Sequence, residues 1–294
     1  MKPRRVNATD LQKRFESLWD RGMPPGASTG WKSLDAHYTI CPGQLTVLTG
    51  WPGSGKSELL DAILVNLSRR DWRFAVFSFE NQPTEIHAAK LAEKITGLPF
   101  GAGPNERIPK SSLGSLAADI SQSFGMFHAP AAEGVNISEV LEAATDWFNA
   151  YAGEHDGLVI DPWNELEHYR PSNLSETEYI SQTLSTVRNW ARESKVHVWI
   201  VAHPQKVRRE DGKLPIVRPD MISGSQHWWN KADCAISVWR DMENPDNPEI
   251  EVHVQKVRFK HIGRPGLVPM RYDRITGRYY EAEPQWVGAS IRVA

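Results

Sequence analysis

The chain has 294 residues, 40% of them hydrophobic, room for one large or two small domains with a buried core; no apolar run reaches the roughly 20 residues of a membrane helix, and "MKPRRVNATDLQKRF" lacks a signal-peptide hydrophobic region. A soluble, cytoplasmic protein with no membrane partner is the expectation, and its 34 basic against 36 acidic side chains, net −2, give no global mark of nucleic-acid binding, so such a site must be local or assembled from several subunits. Cys41 and Cys234 stand outside any CxxC or Cys/His cluster, which argues against a disulfide framework or structural zinc and reads most simply as two small core residues.

In "TDLQKRFESLWD", residues 9–20, Leu11, Phe15, Leu18 and Trp19 recur at helical spacing, and Thr9 with Gln12 reads as a capping box. The Pro- and Gly-dense "RGMPPGASTG", residues 21–30, then marks a linker. This short amphipathic helix either folds back on its own domain or docks on a neighbouring subunit. From residue 44, apolar runs ("QLTVLTG", "RFAVFSFE", "GMFHA", "GLVID", "VHVWIVAH") alternate with helical patterns ("ELLDAILVNLSRR", "PTEIHAAKLAEKI", "ISEVLEAATDWFNAYA", "TEYISQTLSTVRNWARE"), broken by a Gly/Pro-rich stretch near residues 97–110. Such alternation implies an α/β fold whose parallel sheet is covered on both faces. The tail changes character: "CAISVWR", "EIEVHVQKVRF", "GLVPMRYD" and "GRYYEAE" are strand-like with no long helix between them, which predicts an antiparallel extension of the same sheet.

"GWPGSGKS", residues 50–57, fits GxxxxGK[ST] between a predicted strand and a predicted helix. In that setting Gly50, Pro52, Gly53, Ser54 and Gly55 form a loop whose backbone N–H groups wrap phosphates, Lys56 reaches the outer phosphates, and the Ser57 hydroxyl is placed to ligate Mg²⁺. The implied ligand is ATP or another nucleoside or deoxynucleoside triphosphate with Mg²⁺. Asp161 ends the strand "GLVID" at the same sheet edge, the natural partner of the magnesium; Glu80 ends "FAVFSFE" there, where a carboxylate orients or deprotonates an attacking water. The plainer reading of each is a helix cap. His203 closes "VHVWIVAH" at that edge too, a candidate sensor of the terminal phosphate, although a histidine after an apolar strand is more often a rim residue. Lys256 and Arg258 lie two apart on a predicted strand and so project from one face, where two cations repel unless an anion lies opposite. A solvated edge is the ordinary explanation; an arginine beside a transferring phosphoryl group is the sharper one.

The segments "STGWKSLD" (28–35), "GWPGSGKSE" (50–58), "FSFENQP" (77–83), "VIDPWNE" (159–165), "WIVAHPQK" (199–206), "ISGSQHWWNKAD" (222–233), "KVRF" (256–259) and "YDRITGRYY" (272–280) together resemble the helicase domain of the DnaB/Twinkle-type replicative helicases, the ring-forming RecA-like superfamily 4 motors, and especially the phage and bacterial primase-helicase subgroup. They occur in that family's order across nearly the whole chain. The resemblance implies a RecA-like ATPase domain over residues 25–294 behind a linker helix in 1–24. It implies Glu80 as catalytic base, Asp161 as magnesium-site acid, His203 as phosphate sensor, Arg258 as a finger reaching a neighbouring subunit's site with Lys256 as companion, and Arg240 and Tyr272 flanking the base. DNA contact would come from channel loops: "WNELEHYRPSNLSE" (163–176) with Arg170, and "PQKVRREDGKLPIVRPDMISGSQ" (204–226) with Lys206, Arg208, Arg209, Lys213 and Arg218. There the backbone of Ser223, Gly224 and Ser225 would meet successive phosphates. The implied activity is ATP-driven 5′ to 3′ movement along single-stranded DNA, with fork unwinding, by a homo-hexamer or heptamer in a bacterial or phage-infected cell, with a primase or polymerase as possible partner. Two rivals stay open: a non-unwinding RecA-type DNA-dependent ATPase, recombinase-like or a regulatory ring, and a P-loop phosphotransferase acting on a small metabolite. No primase, zinc-binding or DnaB-type N-terminal domain is read before the linker in this sequence, so either a fragment of a primase-helicase or a stand-alone motor that recruits a primase is expected.

Overall fold

The computed structural model describes residues 6–127, 134–150, 155–205, 214–222, 224, 226–244 and 246–282. The first helix, α1 (Ala8–Arg21), is capped two residues earlier than the sequence suggests: Asn7 is extended and its side chain accepts the Asp10 N–H at 2.8 Å. Thr9 and Gln12 form no capping box; Gln12 bonds Glu16 along the helix instead, at 2.8 Å. No residue of α1 is buried, and Trp19 is 82% exposed. The helix therefore does not fold back on its own domain.

After the single turn α2 (Lys32–Asp35), one nine-stranded sheet runs in the order β3-β2-β4-β5-β1-β6-β7-β8-β9. Strands β1 (Leu45–Thr49), β2 (Trp72–Ser78), β3 (Phe124–Phe127), β4 (His155–Asp161), β5 (His197–Val201) and β6 (Cys234–Arg240) are parallel. Every residue of β1, β2 and β5 is buried, as expected of strands covered on both faces. One face carries α3 (Lys56–Ser68), α4 (Thr84–Thr96) and α5 (Leu113–Ser123), packed on Phe74, Val76, Val159 and Trp199. The other carries α6 (Ile137–Ala150), α7 (Glu176–Ser194) and α8 (His227–Lys231), packed on Val47, Phe77, Leu158 and Ile200.

Strands β7 (Glu249–Val257), β8 (Gly266–Tyr272) and β9 (Tyr279–Glu281) form the antiparallel extension. Its joint lies one strand later than expected. β6, with the sequence "CAISVWR", runs parallel to β1 (Val47 opposite Ala235) and only β7 reverses. A bulge at Gln255 sets Val254 opposite Ile236 and Lys256 opposite Ala235, neighbours that point to opposite faces. Lys256 is thereby turned from the α3 face, where Ile250, Val252 and Val254 are buried, to the α8 face. Helix α5 has no counterpart in the sequence pattern; within "LGSLAADISQS" only Leu116 and Ile120 are buried, one turn apart.

Candidate active site

All parallel strands end at one edge of the sheet, and that edge gathers the predicted residues. Gly50 follows β1, Glu80 lies two residues past β2, Asp161 ends β4, His203 lies two past β5 and Arg240 ends β6. Gly50 has φ 145° and no room for a side chain: a Cβ there would stand 2.4 Å from the Val238 carbonyl. Gly55, at φ 96°, opens α3 as its N-cap. Together they hold the loop in a conformation that turns backbone N–H groups inward at a helix start.

Lys56 is buried and its ammonium donates to the carbonyls of Gly50 and Trp51, each at 3.1 Å. Burial lowers its pKa, opposed by the charges of Asp161 and Glu80. Asp161 is 4% exposed; burial drives its pKa up to about 6, the Ser57 hydrogen bond and Lys56 work downward, and Asp61 and Glu80 upward. Its Oδ1 is buried without a hydrogen-bond partner, an acceptor left available beside the Ser57 hydroxyl. That orphan oxygen fits a magnesium ion. Among the described residues no cluster of three or more His, Cys, Asp or Glu side chains forms a metal cage, which suits an ion that brings most of its ligands as phosphate and water.

Glu80 and His203 face each other, Oε1 to Nε2, at 3.1 Å, and the His203 backbone N–H donates to Asn164 Oδ1 at 3.0 Å. Both line a cavity of about 360 Å³ together with Gly55, Lys56, Ser57 and Arg240. Its far wall is aromatic: Tyr272 and Tyr279 have ring centroids 5.0 Å apart. The Tyr279 hydroxyl donates to the Gly55 carbonyl at 3.2 Å, and the Tyr272 hydroxyl donates to Glu58 at 3.3 Å. Glu58 in turn is paired with Lys90 and Lys94 of α4. Triphosphate cradle, buried carboxylate, poised carboxylate–imidazole pair and flat aromatic wall make one continuous nucleotide-sized site. Tyr279, Glu58, Lys90 and Asn164 are not singled out by the sequence. Glu58, Asn164 and Tyr279 do lie inside the quoted "GWPGSGKSE", "VIDPWNE" and "YDRITGRYY", while Lys90 lies outside all of these stretches.

Lys256 and Arg258 are not part of this cavity. The Arg258 N–H bonds the Asp233 carbonyl and the Asp233 N–H bonds Leu45, the first residue of β1. Arg258 thus lies level with the start of β1, about 13 Å of strand below the loop that follows its end. The anion opposite these cations is the chain's own Asp233, 2.8 Å from the Arg258 guanidinium.

Of the DNA-contact candidates, Arg170 is exposed ahead of α7. Gly224 has φ 87° and its carbonyl accepts the Thr177 hydroxyl at 2.9 Å. Lys206, Arg208, Arg209, Lys213, Ser223 and Ser225 lie outside the described residues. The stems of their loop are tied beside His203, by a bridge between Pro204 and Ile222 and by the Gln205 N–H on the Met221 carbonyl at 2.8 Å. No described helix is long and apolar enough to cross a membrane.

This sheet order, with a phosphate loop after β1 and an acid ending β4, defines a RecA-like P-loop nucleotide-binding domain. Residues 26–281 match the family model for the DnaB-like helicase C-terminal domain, and the chain belongs to that family. It is 38% identical over 282 residues to the Twinkle homolog protein, chloroplastic/mitochondrial, of Arabidopsis thaliana, a match covering 93% of this chain and 39% of that protein's length. Among solved structures it resembles an ATPase domain with TM-score 0.78 and 18% identity, 95% of this chain and 100% of that one being covered. A DnaB-like replicative helicase, studied with its primase interactions, gives TM-score 0.76 at 19% identity over 94% and 68% of the two chains. The RadB recombinase shares the fold more distantly, with TM-score 0.54 and 15% identity over 87% and 99%.

Proposed function

We propose that this chain is the motor of an ATP-dependent replicative DNA helicase, with residues 1–24 as linker helix and 25–294 as motor domain. The observation that carries the reading is the split between two ends of one sheet, the glycine-rich loop with Lys56, Asp161, Glu80 and His203 at the upper edge and a cation pair at the lower. Arg258 is out of reach of its own cradle, so its use as a finger requires an adjoining subunit. The exposed apolar side of α1 supports such an assembly, since Leu11, Phe15 and Trp19 have no cover among the described residues.

In this reading Lys56 and the loop N–H groups hold the ATP phosphates, and Tyr272 and Arg240 flank the base. Ser57 and Asp161 would hold Mg²⁺, which when bound neutralises phosphate charge. Glu80 orients the attacking water and takes its proton, and Arg258 of the next subunit stabilises the charge that develops. His203 touches Glu80 and stands directly before the tied stems of the 204–226 loop, so a change at the terminal phosphate has a short path to that loop. Arg170 and the basic residues of 204–226, repeated around a six- or seven-membered ring, then grip single-stranded DNA through its backbone and step 5′ to 3′. A primase partner is supported by likeness to the helicase solved for its interactions with primase, and a bacterial or phage-infected cell by resemblance to the primase-helicase subgroup.

Tailed-duplex unwinding tests this. Wild-type protein with ATP and Mg²⁺ should displace the strand of a fork with a 5′ tail and not of a 3′-tailed duplex, while Lys56→Ala protein displaces neither. DNA-stimulated hydrolysis without displacement on either substrate would favour the non-unwinding RecA-type ATPase, the kind of likeness seen to the RadB fold. Hydrolysis indifferent to DNA would favour a small-molecule phosphotransferase.

A further inference from the structure

Asp233 sits between α8 and β6 with its side chain 1% exposed. A buried carboxylate needs compensation, and this one has it on every side. Its Oδ2 accepts the Leu45 N–H at 3.0 Å, and its Oδ1 meets Arg258 Nε at 2.8 Å and Arg192 Nη2 at 3.5 Å. The Asp233 backbone is fixed as well, donating to Leu45 at 2.8 Å and accepting from Arg258 at 2.9 Å. The rest of the contacts run to the end of α8. Arg258 Nη2 donates to the carbonyls of Ala232 at 3.2 Å and Asn230 at 3.4 Å, and Lys256 Nζ donates to that of Trp229, whose ring centroid lies 6.0 Å from the ammonium.

Two edges of the Arg258 guanidinium are therefore turned inward. Among the described residues nothing binds Nη1, and the side chain is 32% exposed. Arg188, Arg192, Lys256 and Arg258 surround the single carboxylate, so the cluster keeps a surplus of positive charge at the surface. Burial and the Arg258 charge together hold the Lys256 pKa below its ordinary value, the mark of crowded cations without a second anion.

We propose that Asp233 is a positioning residue for cross-subunit hydrolysis: it clamps the Nε edge of Arg258 on the end of α8 and leaves Nη1 aimed outward, at a phosphate held by the adjoining subunit. The inference rests on the shared-site reading above. An arginine on a free side chain has to be ordered as the transition state forms, whereas a clamped one is ordered beforehand, which is what preorganised charge stabilisation requires.

The test is complementation between defective subunits. Lys56→Ala protein keeps its finger but not its cradle, and Arg258→Ala protein the reverse; each alone should be inactive, and mixing them should restore DNA-stimulated hydrolysis. If that control mixture stays inactive, the shared site itself is wrong and the proposal falls with it. If the control recovers, Asp233→Asn is the informative variant. Alone it should lose kcat by about ten- to a hundredfold, as expected when a group that orients a functional side chain is removed, with the nucleotide KM within about twofold of wild type. Mixed with Lys56→Ala it should recover as Arg258→Ala does, and added to Arg258→Ala it should lower kcat no further, because the group it positions is gone. A wild-type kcat, an unchanged deficit on mixing, or a loss additive with Arg258→Ala overturns the positioning role. Should Asp233→Asn fall short of the wild-type far-ultraviolet spectrum, Asp233→Glu, which keeps the charge and displaces it by one methylene, takes its place with the same expected and overturning results.

Discussion

Asp161 shows how a single side chain sets the conditions under which this site works. Burial raises its pKa from the ordinary 3.8 to about 6. A folded pKa above the unfolded one means the native state binds the extra proton between about pH 4 and 6, so stability falls as pH rises through that window and the deficit persists at pH 7. The deficit is at most on the order of 3 kcal/mol. Asp161→Asn should accordingly raise the thermal midpoint of the nucleotide-free chain at pH 7, show no such gain below about pH 4, and abolish hydrolysis; a midpoint lowered at pH 7 would contradict this account. The same scale shows what the sequence could carry. Gly50, Gly55, Lys56 and Ser57 are legible because phosphate wrapping demands fixed spacing in one short loop, and Glu80, Asp161 and His203 because each follows an apolar strand. Tyr279 and Asp233 lie inside quoted stretches, but their contacts are with Gly55 and Leu45, 224 and 188 positions away, and no local pattern announces those contacts.

At the scale of elements, α3 and α4 are joined beneath the cradle by a buried ion pair, His87 Nε2 to Asp61 at 3.0 Å. Burial works against both charges, but the pairing outweighs it, raising the His87 pKa and lowering that of Asp61. The histidine's share of the stability is present below its unfolded pKa, near 6.5, and is lost as pH rises through the raised folded value. The carboxylate's share is present above 3.8 and is lost as pH falls. His87→Ala leaves Asp61 buried without its partner and should cost about 3–5 kcal/mol near pH 6, read from urea unfolding, with a smaller penalty at high pH; an unchanged midpoint at pH 6 would refute the pair's structural weight. The alternation of apolar runs and helical periods made the parallel sheet legible, because strands buried on both faces read as unbroken apolar stretches. Two features escaped it. The direction of β6 is set by its non-local pairing with β1, and the bulge at Gln255 breaks the strict alternation that would keep Lys256 on the same face as Val252 and Val254. Helix α5, with two buried positions and Gly114 in its first turn, has too weak a stripe to register.

For the whole molecule, the opposition of the sheet's two ends is the main result. The upper edge brings Gly55, Lys56, Ser57, Glu80, His203 and Arg240 to one cavity, with Asp161 buried beside Ser57, and the lower edge fixes Arg258 on Asp233. In the proposed reading one chain holds both halves of a hydrolytic site and cannot bring them together by itself. The apolar side of α1, exposed among the described residues, offers a neighbour in that reading a second surface to cover. Titrating subunits that carry both Lys56→Ala and Arg258→Ala into wild-type protein while following DNA-stimulated ATP hydrolysis tests this most directly. A cation acting across the interface predicts that each such subunit spoils two sites, its own and its neighbour's, so that an equal mixture retains well under half of the wild-type rate. A strictly proportional decline would place Arg258 within its own chain's chemistry, or outside the chemistry altogether, and would contradict the shared site.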